Sequence, residues 1–180
     1  WLSLQDAVDE LLSFLPVSLI PEVGINFVYA MADASSYGDI CGIDGRIVRA
    51  KKPFQAGECR FGTSKHISSV LLACMKHDAS IRAAMNIAYS VDTINACHAI
   101  GLKVGNFDRK DEPAGRSTME WGTDHVVKEM GFVPDVVWDK GGVGKEAMIR
   151  VIGESPNDVL EKVKAIVKEL ELEGKVHSPL

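Results

Sequence analysis

Apolar residues recur along this chain with two periods that alternate, one helical and one extended. In residues 3–15, Ala7, Val8, Leu11, Leu12 and Leu15 fall on one face of a 3.6-residue repeat. Ser3 stands where a cap would, with Asp6 three residues on, and Pro16 stops the pattern. The run "VGINFVYA" (23–30) is rich in β-formers, and "GRIV" (45–48) predicts a second strand. The clearest helix covers 64–77, where Ile67, Val70, Leu71, Cys74 and Met75 share a stripe. "AAMNIAYS" predicts a strand, Ser90 to Gly101 a capped helix, and "KVGNF" another strand. A helix over about 118–130 ends at Gly131, and "PDVVWD" and "AMIRVIG" read as strands. Pro156 opens a last helix with the stripe Val159, Leu160, Val163, Ile166, Val167 and Leu170. Repeats, low-complexity tracts and linker-like breaks are absent from the sequence, so the pattern predicts one α/β domain with helices covering a sheet. Helices do not follow every strand, which favours a mixed sheet over a purely parallel one.

Composition agrees with one domain: 180 residues at 46% hydrophobic are enough for a sizeable core. The balance of 20 basic against 25 acidic residues, net −5, argues against a nucleic-acid footprint on this domain but allows a local basic pocket. The longest apolar stretch near the N-terminus is broken by Pro16, Pro21, Glu22 and Asn26, so it cannot span a bilayer. The first residues carry Asp6, Asp9 and Glu10 without a basic cluster, unlike a secretory signal. Together these features predict no membrane association. Beginning at Trp1 rather than methionine, the chain is expected to be a fragment with an upstream partner domain. Cys41, Cys59, Cys74 and Cys97 show no metal or redox spacing and predict buried thiols in a reducing cytoplasm.

The segment "DKGGVGKEAM" (139–148) spells something close to a nucleotide phosphate loop. Such a loop needs Ser or Thr after its lysine to hold Mg2+, and Glu146 stands there. It must also open a long helix, whereas "AMIRVIGESP" is β-like and is broken by Gly153 and Pro156. A turn between two strands therefore fits better than an ATP site.

"RFGTSKH" (60–66) is a better anion site. Gly62 permits a tight bend, Thr63 or Ser64 can cap the helix that follows, and the first-turn N–H groups point at an anion. Lys65 and His66 in that turn oppose the helix dipole, a placement that an anion would offset. A plain cap with a solvated lysine and a packed histidine is the competing reading. His77, His98, His125 and His177 have no ligand spacing, so no zinc site follows. A third cluster, "NFDRKDEPAGRSTMEWG" (106–122), gathers Asp108, Arg109, Lys110, Asp111, Glu112, Arg116, Glu120 and Trp121. Its Ser117-x-x-Glu120 spacing is also that of a capping box, and mixed-charge loops are commonly solvated connectors. Carboxylates for Mg2+, arginines for phosphate and an aromatic face for a flat ring together suit a phosphorylated heterocycle.

The blocks "IPEVGINFVYA", "GIDGRIV", "RFGTSKHISSVLLACM", "AAMNIAYS", "NFDRKDEP", "STMEWGT" and "PDVVWDKGGVGKEAMIRVIG" occur in an order that resembles the ThiN family of archaeal-type thiamine-phosphate synthases. The family turn more often has Arg where Lys140 stands and Pro where Ala147 stands; neither difference removes a charge. The resemblance implies a three-layer α/β/α sandwich with a mixed sheet, similar to the class II aldolase/adducin head domain, without the histidine-rich zinc site of those aldolases. It implies a transferase joining hydroxymethylpyrimidine diphosphate to thiazole phosphate, with thiamine phosphate and pyrophosphate as products. Family members are often fused behind a hydroxymethylpyrimidine kinase.

Catalytic members of that family carry an N-terminal helix, an arginine in the G-R-I-V strand and a histidine in the F-G-x-S-x-H turn. Here these are residues 3–15, Arg46 and His66, which makes Arg46 and His66 the expected catalytic pair. Gly62, Thr63, Ser64, Lys65, Asn86, Arg109, Arg116, Trp121 and Lys145 form the expected substrate- and phosphate-binding set. Mg2+ is the expected cofactor, with Asp108, Glu120 and Asp139 as candidate ligands. Arg46, the 62–65 turn and Mg2+ would hold the leaving pyrophosphate, and His66 would orient or protonate it. The competing class is a thiamine-phosphate-sensing domain of a transcriptional repressor, which would use the same pocket. Surface strands and domain size point to a homodimer.

Overall fold

The computed structural model describes residues 2–115 and 117–177. In chain order its elements are α1 (Leu2–Phe14), β1 (Phe27–Ala30), β2 (Ile40–Ile43), β3 (Arg46–Val48), β4 (Phe54–Ala56), β5 (Cys59–Phe61), α2 (Lys65–Met75), β6 (Ala83–Ala88), α3 (Val91–Ala99), β7 (Val104–Asn106), α4 (Thr118–Met130), β8 (Val136–Asp139), β9 (Met148–Gly153) and α5 (Pro156–Leu172). Seven strands form one sheet in the order β5-β2-β1-β6-β9-β8-β7, and β3 with β4 forms a separate hairpin. Only β7 and β8 run parallel in the large sheet, so it is mixed and mainly antiparallel. Helices α1, α3 and α5 cover one face and α2 with α4 the other, completing the three-layer α/β/α sandwich.

Local sequence explains most of these elements. The α5 stripe is buried at all six positions, Pro156 occupies the first turn, and Ser155 Oγ accepts the Asp158 N–H at 3.1 Å. Ser90 caps α3 by accepting the Thr93 N–H at 3.0 Å. Gly131 ends α4 in the left-handed region, φ 78°. The β6 and β9 strands are the sheet centre, buried on both faces, which accounts for their nearly unbroken apolar runs. Among the described residues, no helix is long and apolar enough to cross a membrane.

Some expectations are corrected. The first helix begins at Leu2, so Ser3 lies inside its first turn rather than at a cap. The expected capping box is not formed: Ser117 makes no side-chain capping bond, and the Glu120 side chain turns away to an ion pair with Lys76 at 2.6 Å. Strands β2, β4 and β5 have no counterpart in the predicted elements. The four cysteines are buried thiols, with burial pushing Cys74 and Cys97 up to about 12 and Cys59 up to about 11.

The β3–β4 hairpin carries Arg46 toward the side of the sheet that α2 covers. Its base closes through Gly45 and Gly57: a Cβ on Gly45 would collide with the Ala56 carbonyl, and one on Gly57 with the Asp44 carbonyl. Gly45→Ala is therefore expected to destabilise the domain by about 1–3 kcal/mol, since both φ and space forbid the side chain. Gly62→Ala, where φ is positive but the space is open, should cost only about 1 kcal/mol. Urea midpoints of the two variants check the order; equal losses would mean that crowding at the hairpin base contributes nothing.

Candidate functional site

The face covered by α2 and α4 is apolar except at one end of the sheet. There Asn86 on β6 and Arg150 on β9 are direct cross-strand neighbours. They form the floor of a cavity of about 650 Å³, walled by α2, the start of α4 and the 140–147 turn.

Asn86 is buried and fully engaged. Its Oδ1 accepts the Asn26 N–H at 2.7 Å, and its Nδ2 donates to the Gly24 carbonyl at 3.0 Å. Asn26 in turn donates from Nδ2 to the carbonyls of Ile43 and Gly45 and accepts the Ile43 N–H. This amide pair ties the entry of β1 to the base of the hairpin that presents Arg46. Gly24, with φ 82°, allows the Arg46 stem to lie across it, because a Cβ there would stand 2.9 Å from Arg46 Cβ and Cδ.

The chain enters α2 through two left-handed residues, Gly62 (φ 79°) and Ser64 (φ 61°). Ser64 is the one non-glycine residue with positive φ among the described residues. Its hydroxyl donates to the Ile43 carbonyl at 3.1 Å instead of capping the helix, and Thr63 donates to the Arg60 carbonyl. The expected side-chain cap is thus not made, and the first-turn N–H groups are left for a ligand. A strained residue at this turn is the kind of backbone cost that functional sites carry. Lys65 and His66 stand exposed at the cavity wall.

On the floor, Asp139 has no solvent exposure and lies between two arginines. Arg109 Nε donates to Oδ1 at 2.6 Å, Arg150 Nη1 lies 2.7 Å from Oδ2, and the Gly141 N–H donates to Oδ1 at 2.7 Å. Burial pushes the Asp139 carboxyl upward, but the Arg109 hydrogen bond, the Arg150 charge and the Gly141 N–H outweigh it and hold it below its ordinary range. Two guanidiniums on one carboxylate leave a net positive charge facing the cavity.

The glycine-rich segment is a tight turn between β8 and β9. Gly142 and Lys145 exchange two backbone hydrogen bonds of 3.0 Å, with Gly141 (φ 71°) and Gly144 (φ 69°) in the left-handed region. Glu146, the residue that spoils the nucleotide spelling, accepts the Glu22 and Val23 N–H groups at 2.8 and 3.2 Å and straps the turn to the segment before β1. Lys145 faces the cavity.

Of the expected site residues, the fold gathers Arg46, Ser64, Lys65, His66, Asn86, Arg109 and Lys145 around one cavity. Gly62 and Thr63 shape the turn behind it. Trp121 is buried instead in the α2/α4 core, edge-on to Phe107 at 6.1 Å and stacked on His125 at 5.3 Å, so it offers no face to a ligand. Arg116 lies outside the described residues. The three candidate metal carboxylates do not converge: Asp108 caps the 3-10 turn by accepting the Lys110 N–H, Glu120 pairs with Lys76, and Asp139 is taken by the arginines. Among the described residues, no group of three His, Cys, Asp or Glu could hold a metal. Sequence reasoning missed Arg150; Glu112, named only within the 106–122 cluster, and Glu146, named only as the residue that spoils the phosphate loop, also line the cavity. A lone charge inside the central strand "MIRVIG" was the available signal for Arg150. The lining carries Arg46, Lys65, Arg109, Lys145 and Arg150 against only Glu112 and Glu146, a basic pocket in an acidic protein.

A family model described as thiamine-phosphate synthase ThiN matches residues 3–165. The chain is 40% identical over 160 residues to a bifunctional thiamine biosynthesis protein ThiDN of Methanocaldococcus jannaschii, covering 88% of this chain and 38% of that protein. The chain therefore spans well under half the length of that relative. It is 31% identical over 163 residues to the thiamine-phosphate synthase ThiN of Methanothermobacter thermautotrophicus, covering 87% of this chain and 86% of the other. Among solved structures, the C-terminal domain of a phosphomethylpyrimidine kinase superposes with a TM-score of 0.85 at 37% identity, covering 92% of this chain and 97% of the other. The L-fuculose-1-phosphate aldolase of Thermus thermophilus shares the fold alone, with a TM-score of 0.54 at 13% identity over 96% of this chain and 91% of the other.

Asp139 should contribute to the acid limb of stability. Its depressed carboxyl stabilises the fold above about pH 4 and loses that contribution as pH falls through the folded value. Asp139→Asn is expected to lose about 3–5 kcal/mol at pH 7 by stranding the buried Arg150 guanidinium and the partly buried Arg109, and up to about 1 kcal/mol less at pH 3. Urea unfolding at both pH values checks this, and an equal loss at each would remove Asp139 as the titrating anchor.

Proposed function

The chain belongs to the thiamine-phosphate synthase ThiN family, and from that premise we propose that it joins hydroxymethylpyrimidine diphosphate to thiazole phosphate in thiamine biosynthesis. The observation that carries this reading is the basic cavity, which suits two phosphorylated heterocycles better than any neutral metabolite. In the reaction, the bond from the pyrimidine methylene carbon to the diphosphate oxygen breaks, and its electron pair leaves with pyrophosphate. The thiazole nitrogen lone pair then forms the new C–N bond, giving thiamine phosphate.

The protein's part is to stabilise the departing charge and hold two flat rings in line. Arg46, Lys65 and the first-turn N–H groups of α2 would receive the diphosphate, and His66 would orient or protonate it. Ile67, Val70, Met119 and Met148 line the cavity and would pack against the rings. Mg2+ is compatible with this site in a limited way, because it commonly binds through one or two carboxylates and substrate phosphates. Glu146 is engaged with backbone N–H groups, and Glu112 accepts from Thr118 Oγ1 at 2.8 and 2.7 Å while retaining lone pairs toward the cavity. Glu112 would therefore be the protein's carboxylate, with the diphosphate supplying the other oxygens. Bound there, the ion would neutralise charge on the leaving group.

The ThiDN relative and the kinase whose C-terminal domain has this fold support an upstream hydroxymethylpyrimidine kinase as the fused partner. The four buried thiols are compatible with work in the cytoplasm. Incubation with both substrates and Mg2+ should yield thiamine phosphate and pyrophosphate. Arg46→Ala and His66→Ala should each lower turnover at least about 100-fold with little change in unfolding midpoint, since both side chains are exposed. A domain that binds thiamine phosphate but never forms it would be a sensor, and full turnover in either variant would remove that residue from the mechanism.

A further inference from the structure

The cavity has two cationic ends rooted on different strands. One is built by Arg46 from β3 and by Lys65 and His66 from the first turn of α2, where Ser64 Oγ anchors the turn to the Ile43 carbonyl. The other is Arg150 on β9, with Arg109 reaching in from the 3-10 turn after β7.

Arg150 is only 3% exposed, yet its donors are poorly used. Nη2 points to the Met119 sulfur at 3.3 Å, a weak acceptor. Nη1 faces Asp139 Oδ2 as an ion pair without a well-directed hydrogen bond and has no other partner among the described residues. The guanidinium lies over the Phe107 ring, its carbon 5.6 Å from the centroid, which restricts its motion. Leaving buried N–H groups unsatisfied is costly, and at a cavity wall an oxygen-rich anion removes that cost. Asp139 fixes both arginine forks, with Arg109 donating from Nε and Nη2 to its two oxygens.

We infer that Arg150, together with Arg109, forms a second anion subsite that holds the monoester phosphate of the thiazole substrate and of thiamine phosphate. The diphosphate then occupies the Arg46–Lys65–His66 end, and Asp139 is the positioning residue for the floor. Exposure sets this orientation. The monoester phosphate is retained from substrate to product and suits a buried, immobile fork. Pyrophosphate must leave, and it suits exposed side chains at the mouth. The inference rests on the synthase reading and adds to it the orientation of the two substrates.

Calorimetric titration with thiamine phosphate and with thiamine tests it in wild type, Arg150→Met and Arg150→Lys. Wild type should prefer the phosphate ester by about 10- to 100-fold, the scale of a buried charge-assisted hydrogen-bond pair. Arg150→Met should bring the two affinities together, and Arg150→Lys, which keeps a cation beside Asp139, should retain only part of the preference. Arg46→Ala should keep the preference. Circular dichroism establishes folding, and Arg150→Lys carries the test if Arg150→Met does not fold. An undiminished preference in the Arg150 variants overturns the subsite even if wild type makes thiamine phosphate. An Arg150-dependent preference without turnover upholds the subsite and overturns the synthase reading. Neither binding nor turnover in wild type overturns both.

Discussion

A carboxylate sealed from solvent between two guanidiniums is the constraint on which the rest of the site depends. Arg150 occupies a central strand buried on both faces, a position where an unpaired charge would not be tolerated. Asp139, at the end of the neighbouring β8, makes that position possible, and it draws in Arg109 from the loop after β7. The same oxygen that binds Arg109 also accepts the Gly141 N–H, so the cluster fixes the start of the turn that carries Lys145. One buried anion thus places two arginines directly and a lysine through the backbone. Buried ion pairs are poor sources of net stability, so its retention is better explained by the geometry it imposes on the cavity floor.

The sandwich divides its labour by face. On the side of α1, α3 and α5 the sheet contributes an uninterrupted apolar surface, from Phe27 and Ile43 through Met85 and Ile87 to Ile149 and Val151. On the opposite side Val28, Ala84, Val137 and Ile152 pack under α2 and α4, but Asn86 and Arg150 break the surface toward one end. The apolar packing stops where the cavity begins. Polar groups in the floor are tolerated because the other face supplies the continuous core. Asn86 shows how fully such groups are used, with acceptor and donor both committed to the segment before β1.

Helices are legible from sequence because their signals are local: each stripe, cap and stopping glycine lies within one segment. Strands β2, β4 and β5 are not, since each has only three or four residues, too few for an alternating pattern to stand out from the surrounding turns. For the site, residue types in "RFGTSKH" and "GRIV" indicate basic groups near a helix start, and the fold gathers them. The mixed-charge cluster at 106–122 gives composition without direction. From it Arg109 turns inward to the floor, while Glu120 turns outward to Lys76 and Trp121 sinks into the core. Which way a side chain in a connector points is decided by the α4 packing, and no periodicity in the loop records it. Arg150 is a different case. A single charge in a six-residue apolar strand is visible in the sequence, but its meaning depends on a partner carboxylate that no local pattern indicates.

The glycine-rich turn shows why spelling and mechanism must be separated. A nucleotide phosphate loop works by pointing consecutive backbone N–H groups at phosphates from the start of a helix. Here the Gly142 and Lys145 N–H groups are consumed by their own turn, and no helix follows. The glycines instead permit a reversal so tight that a Cβ on Gly141 would strike the Lys145 carbonyl. Glu146 then fastens the reversal to the Glu22 and Val23 backbone, beside the Gly24 that supports Arg46. Lys145 is left as a point charge at the cavity wall, on a turn whose own N–H groups are already used.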